Sequence, residues 1–207
     1  MLQTALIAIA AYCLGSISFA VVVSRLMGLP DPHSYGSKNP GATNVLRTGN
    51  KVAAALTLVG DAGKGALAVG LTVLYTGESS ISGFDAPLAG AMAFLGHLYP
   101  VFHGFKGGKG VATAAGVLLA LSPILGLGTL LTFGIVVFFF RMISLASIIS
   151  AVFAAFWAWL LFGLMPITPV VAAIALLLVW RHRENIVRIA RGAEPRLGEK
   201  KTWEKKS

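Results

Sequence analysis

The chain has 207 residues, of which 56% are hydrophobic and only 12% charged, with a mean hydropathy of +0.79. That charged share is about half of what a soluble domain carries, which excludes an ordinary soluble protein and indicates a single helical bundle in a membrane. The net charge of +9 does not indicate nucleic acid, because the cations lie in loops and a tail beside apolar segments, where the positive-inside bias places them.

Residues 2–27 are apolar with no charge before Arg25 and read as a first transmembrane helix; without a basic segment ahead of them they do not read as a cleaved leader. The one cysteine, Cys13, lies inside this run, reads as a small buried apolar residue and has no partner for a disulfide. A polar loop follows at 31–51, then a second apolar run at 52–76 interrupted only by Asp61 and Lys64, a polar turn at 77–83 and a third span at 86–102. Residues 110–121 are apolar but would make a helix of only about 18 Å, short of a hydrocarbon core of about 30 Å. Ser122-Pro123 separates this short fourth helix from a fifth at 124–140, which Arg141 ends. A sixth span covers 143–163, and a seventh covers 167–181 and continues as a basic amphipathic stretch to about Arg191.

The expected fold is an all-α integral membrane protein. It is a seven-helix bundle with a short fourth helix at residues 1–191, followed by a polar tail at 192–207. All 17 lysines and arginines fall in or beside 28–51, 103–109, Arg141 and 181–207. The turns at 77–85, 122–123 and 163–168 hold no cation and carry Glu78 and Asp85. This asymmetry puts the N-terminus outside and the C-terminus in the cytoplasm.

Two loops carry the chemistry. The first, residues 36–51, combines Gly36 and Gly41 with Ser37, Lys38, Asn39, Ala42, Thr43, Asn44 and Arg47. Small residues, hydroxyls, amides and a guanidinium are the parts of a phosphate site, though a helix-capping turn uses several of the same residues. The second loop is Lys106-Gly107-Gly108-Lys109-Gly110, just before the short helix. Anchoring at the inner membrane surface accounts for its two lysines but not for the three glycines around them. Neither loop is a P-loop or a dinucleotide fingerprint: Gly108-Lys109 is followed by glycine instead of Ser or Thr.

Outside the loops, Asp61 and Lys64 are three apart on an apolar helix, a spacing that sets them on one face as a structural ion pair. His97 reads either as a hydrogen-bonded bundle residue or as a base, and Ser144 as a helix cap or a substrate contact. His182 and Asn185 share a helical face at the membrane boundary, beside Arg181, Arg183, Arg188 and Arg191, which suit anionic lipid head groups. His97 stays open as a ligand as well, whereas His33 and His103 have no metal-ligand spacing to a Cys, Asp or Glu.

Taken in order, Gly36 to Asn44 with Arg47, Gly96-His97 through Phe105 to Gly110, Ser144, and His182-Arg183-Glu184-Asn185-Ile186 resemble the PlsY family, the bacterial acyl-phosphate:glycerol-3-phosphate acyltransferases. The resemblance covers nearly the whole chain. It implies transfer of a fatty acyl group from acyl phosphate to the sn-1 hydroxyl of glycerol 3-phosphate, giving lysophosphatidic acid and phosphate, at the cytoplasmic face of the inner membrane. It also implies no metal, no cofactor, no covalent acyl-enzyme, and a proton taken up by a phosphate oxygen of the substrate. On that resemblance Ser37, Arg47 and Lys106 would hold glycerol 3-phosphate, and Ser144, His182 and Asn185 would orient its glycerol part. Asn39, Gly41, Ala42, Thr43, Asn44, Gly107, Gly108 and Lys109 would cradle the acyl phosphate. Partners are then the two substrates and membrane lipid; oligomeric state is not legible. Two positions depart from the family pattern. Gly15-Ser16-Ile17-Ser18 lacks an expected proline, which puts a helix kink in doubt, and Lys38 stands where a small residue, often glycine, is expected.

Two other readings remain. An acyltransferase using acyl-CoA or acyl carrier protein commonly carries His-x4-Asp, and the residues five beyond the four histidines are Lys38, Phe102, Gly108 and Val187. A phosphate transporter would show matched halves and cations at mid-membrane, where this chain has only Lys64.

Overall fold

The computed structural model describes residues 1–198, which form helices joined by turns and no strand. Residues 199–207 of the expected tail lie outside the described residues. The helices are α1 (Leu2–Gly15), α2 (Phe19–Leu26), α3 (Ala42–Val45), α4 (Lys51–Thr76), α5 (Asp85–Leu98), α6 (Val111–Leu121), α7 (Pro123–Phe140), α8 (Ile143–Phe162), α9 (Ile167–Arg181) and α10 (Arg183–Ala190). Single 3-10 turns occur at Leu46–Thr48 and Val101–His103.

The sequence places helix ends well where capping chemistry is local. The Asn50 side chain accepts from the Ala53 N–H at 3.0 Å to open α4, and Gly77 in the left-handed conformation closes it. Ser122 caps α7 with Pro123 in its first turn, and Arg141 ends that helix in the left-handed region (φ 57°).

The reading of 2–27 as one helix needs correcting. The chain breaks at Ser16–Ser18, and α1 and α2 meet at a bend of 40°. No proline is required for it. The Ser16 hydroxyl turns back onto the Tyr12 carbonyl at 2.9 Å, and Ser18 adopts an extended conformation. The break frees the Ile17 carbonyl, which accepts a hydrogen bond from the Lys64 ammonium at 2.6 Å.

By length and composition α4, α7 and α8 each suffice to cross a membrane, and the bent α1–α2 pair makes a fourth candidate. α6 and α9 are apolar but only 11 and 15 residues long, below the roughly 20 that a full crossing needs. The third span also stops earlier than expected, at Leu98, because the chain turns through Tyr99-Pro100.

Packing relies on small residues. Gly15 of α1 lies against the Ala93 backbone of α5, and Gly116 of α6 lies against the Ala62 backbone of α4, too closely in both cases for a Cβ. Such contacts let apolar helices associate where lipid offers no hydrophobic drive. The main core joins α5, α6, α7 and α9 through Phe94, Leu98, Val117, Leu125, Ile167 and Val171. Outward faces carry Leu56, Val59, Leu71, Phe138, Phe139 and Trp159, an apolar exterior suited to acyl chains.

Candidate active site

The two glycine loops and the α9–α10 junction come together at one end of the bundle. The first loop is held by Asn44. This side chain is 2% exposed; its Oδ1 accepts from the Ser37 N–H at 3.0 Å, and its Nδ2 donates to the Pro32 carbonyl at 2.9 Å and the Tyr35 carbonyl at 3.3 Å. All three of these bonds of the Asn44 amide go to the loop itself, so the side chain shapes the loop. Gly36 (φ 59°) sits so close to Asn44 and Arg47 that no side chain fits there. With Asn44 buried beneath, Ser37, Thr43 and Arg47 remain exposed, while Asn39, Gly41 and Ala42 are half-buried. Lys38 is exposed with φ 55°, which explains why glycine suits the position.

The second loop passes directly beside the first. His33 Nε2 lies 3.1 Å from the Lys106 carbonyl, and a Cβ on Gly108 would meet the Pro40 carbonyl. Gly107 and Gly108 are buried. The Gly108 N–H donates to the His97 carbonyl at 3.1 Å, so this amide is unavailable to a ligand and the glycine serves close packing. The carbonyls of Gly107 and Gly108 both accept from Arg181, at 2.9 Å from its Nη2, and the same guanidinium lies over the Tyr99 ring at 5.6 Å. Lys106 is exposed at the loop's edge, and the first turn of α6 begins just beyond it.

Lys109 reaches from this loop to α10, where its ammonium donates to Asn185 Oδ1. Asn185 Nδ2 donates to Glu194 Oε1 at 2.6 Å, and Arg188 Nε donates to Glu194 Oε2 at 2.7 Å. Burial alone would raise the pKa of Glu194; hydrogen bonds around it from Asn185, Ser144 and Arg188, with the Arg188 charge, hold the carboxyl below its ordinary value. The first part of the tail thus returns to the bundle. The Leu197 N–H also donates to the Arg141 carbonyl at 2.6 Å.

Burial, followed by the Arg188 charge, lowers the Lys109 pKa to about 8. His182 stands between α9 and α10, outside the spanning segments and only 3% exposed. Burial lowers its pKa to about 4, with the Lys109 charge adding to the effect. Its Nδ1 lies 2.8 Å from the Leu178 carbonyl. A carbonyl can only accept, so Nδ1 carries the proton and neutral Nε2 presents a lone pair. Ser144, in the first turn of α8, is buried, and its hydroxyl lies beside the Glu194 carboxylate, whose charge it helps to hold.

Asp61 and Lys64 are both 2% exposed and form an ion pair of 2.8 Å beneath the loops, where they touch protein groups only. Sequence reasoning missed Arg181 and Glu194. Arg181 was grouped with cations suited to lipid head groups; its position one residue before His182 was the available signal. Glu194 is a lone carboxylate between Arg191 and Arg196, and its isolation among cations was the corresponding signal.

The glycerol-3-phosphate acyltransferase family model matches residues 5–192. The chain is 58% identical over 196 residues to the glycerol-3-phosphate acyltransferase of Cupriavidus taiwanensis, covering 95% of this chain and 97% of that one. It is 58% identical over 204 residues to that of Burkholderia pseudomallei strain K96243, covering 97% and 98%. Two crystal structures of PlsY (YgiH), an integral membrane glycerol 3-phosphate acyltransferase, superpose on it. The glycerol 3-phosphate form gives a TM-score of 0.88 at 38% identity, and the lysophosphatidic acid form 0.86 at 37%, each covering 95% of this chain and 96% of the other. An all-helical membrane bundle, three converging polar stretches and a match along nearly its whole length make this chain a member of the glycerol-3-phosphate acyltransferase family.

Proposed function

We propose that this chain transfers a fatty acyl group from acyl phosphate to the sn-1 hydroxyl of glycerol 3-phosphate, the first acylation of phospholipid synthesis. The observation that carries the reading is the approach of the loop that bears Arg47 to the loop that bears Lys106 and Lys109, with His182, Asn185 and Ser144 gathered beside Lys109 at the same end of the bundle. Ser37, Arg47 and Lys106 hold the phosphate of glycerol 3-phosphate. Ser144, Asn185 and the Nε2 lone pair of His182 orient its glycerol hydroxyls.

The sn-1 oxygen attacks the acyl carbonyl carbon, and the bond from that carbon to the phosphate oxygen breaks. The hydroxyl proton passes to a phosphate oxygen, so lysophosphatidic acid and inorganic phosphate leave without an acyl-enzyme. Phosphate is already a good leaving group, so the protein's task is to bring two anions into contact. Positioning can contribute about 7–11 kcal/mol in favourable cases, and cationic donors stabilise the developing oxyanion. The acyl chain occupies the apolar crevice between α6, α7, α8 and α9, lined by Ala114, Leu118, Phe133, Ala154 and Ile174 and by Ser147, one turn from Ser144.

We further propose seven crossings in the inner membrane, with the N-terminus outside and the site on the cytoplasmic face, a reading supported by the one-sided distribution of the 17 cations. Arg47→Ala and Lys106→Ala are expected to abolish most turnover while the protein still inserts. Near-normal activity of both purified variants at saturating glycerol 3-phosphate would contradict the assignment. EDTA is expected to leave turnover unchanged, and loss of activity restored by zinc or magnesium would refute the metal-free mechanism.

A further inference from the structure

Beneath the two glycine loops lies a polar trio that the reaction does not use: Asp61 and Lys64 on α4, and His97 near the end of α5. They are 2%, 2% and 8% exposed. Lys64 touches Asp61 at 2.8 Å and donates to the freed Ile17 carbonyl at 2.6 Å. His97 Nδ1 makes no hydrogen bond, and it lies 3.5 Å from the same Asp61 oxygen. The opposite edge of the ring faces the loops. A Cβ on Gly108 would collide with His97 Nε2, and its next nearest atom would be the Pro40 carbonyl of the first loop. The His97 main chain also accepts the Gly108 N–H at 3.1 Å.

One side chain therefore fills the seam where the two loops meet, and its far edge rests on a buried ion pair anchored to the α1–α2 break. Burying two charges and an imidazole is costly, and this chain has only eight acidic residues. An apolar residue would fill the same volume without that cost, but it would leave the ring's place between Asp61 and Gly108 undefined. We propose that His97, oriented by Asp61 and Lys64, is a positioning residue that fixes the spacing between Pro40 of the first loop and Gly108 of the second. It thereby sets where Arg47, on one loop, and Lys106, on the other, meet the phosphate of glycerol 3-phosphate. This rests on the functional reading above.

The test is steady-state kinetics on purified His97→Leu, His97→Gln and Asp61→Asn, with thermal unfolding measured alongside. A loosened seam weakens the joint hold of Arg47 and Lys106 on the phosphate, and losing one charged hydrogen bond is expected to raise KM for glycerol 3-phosphate by about 10-fold or more. KM for the acyl donor and kcat should change far less, and His97→Gln, which keeps a polar atom near Gly108, should recover part of the loss. Asp61→Asn keeps the shape of the contact and carries the test where His97→Leu does not fold. A double-variant cycle adds an independent reading. Gly108→Ala alone should raise KM, and combining it with His97→Ala should raise KM by less than the two separate effects together, because the ring that the new methyl meets first is gone. Variants that lose thermal stability yet keep both KM values, or a cycle in which the two effects simply add, would overturn the proposal. If the unaltered protein itself fails to acylate glycerol 3-phosphate, the functional reading fails first, and the two failures are told apart.

Discussion

The guanidinium of Arg181 holds the backbone of the second glycine loop, donating at 2.9 Å to the carbonyls of both Gly107 and Gly108. Two charge-assisted bonds from one rigid fork determine which way this peptide stretch faces, and hence where Lys106 and Lys109 on either side of it point. Arg181→Ala is expected to lower kcat/KM by about 10–100-fold, since hydrogen bonds to charged groups contribute about 1.5–3 kcal/mol each. Arg181→Lys should restore little, because one ammonium does not reproduce the fork. A fully active lysine variant in a steady-state assay would show that charge alone suffices.

Lys109 should set an alkaline limit. Its pKa is lowered to about 8, so the ammonium is charged below that pH and neutral above it. Affinity for the anionic substrates, and with it kcat/KM, should fall as pH rises through about 8. Guanidinium does not titrate in this range, so Lys109→Arg should move the fall to higher pH in whatever activity remains. An unchanged limb near pH 8 in that variant would assign it to another group.

Acid stability should report His182. Its folded pKa of about 4 lies below its ordinary value of 6.5, so between these pH values the unfolded chain binds more protons. The stability it contributes is complete above about pH 6.5 and is lost as pH falls through about 4. His182→Asn is expected to flatten the decline of Tm over that window, and a difference in Tm that does not vary with pH would contradict the buried neutral ring.

Lys38 occupies a left-handed conformation that costs a non-glycine residue roughly 1–2 kcal/mol. Lys38→Gly removes that strain but adds freedom to the unfolded chain. The net expectation is a gain of at most about 1 kcal/mol, or roughly 2–4 °C in Tm for a chain of this size. Lys38 is exposed on the site's rim, so turnover should change little. A lower Tm would mean that the side chain itself stabilises the loop.

Much of this arrangement was legible because each signal was local. Apolar runs marked the helices, and the polar turn at 77–83, Ser122-Pro123 and Arg141 marked where they begin or end. The spacing of Asp61 and Lys64 put the two on one helical face. The break at 16–18 was not legible, because serine back-bonding and a distant lysine replace the proline that would have announced it. The loop-shaping role of Asn44 was not legible because asparagine serves turns and ligands with the same amide, and its three loop partners appear only in the fold. Arg181 and Glu194 act through partners 73 and 9 residues away, which no periodicity in one sequence reveals.

The proposed orientation rests on charge alone and can be measured directly. In a Cys13→Ser background, a cysteine placed at Ser79 should react with an impermeant maleimide added outside intact cells. One placed at Lys38 should react only after the membrane is opened. The reverse pattern would put the glycine loops, and the site, on the wrong side for the proposed substrates.

The central claim is that one cleft of cations and amides joins acyl phosphate to glycerol 3-phosphate. The most direct measurement offers the purified protein acyl phosphate, acyl-CoA and acyl carrier protein donors in turn, following phosphate release and lysophosphatidic acid together. The account predicts equal amounts of both products from acyl phosphate, dependent on glycerol 3-phosphate, and neither from the other two donors. Product formed from acyl-CoA or acyl carrier protein at a comparable rate, or phosphate released without acylation, would contradict it.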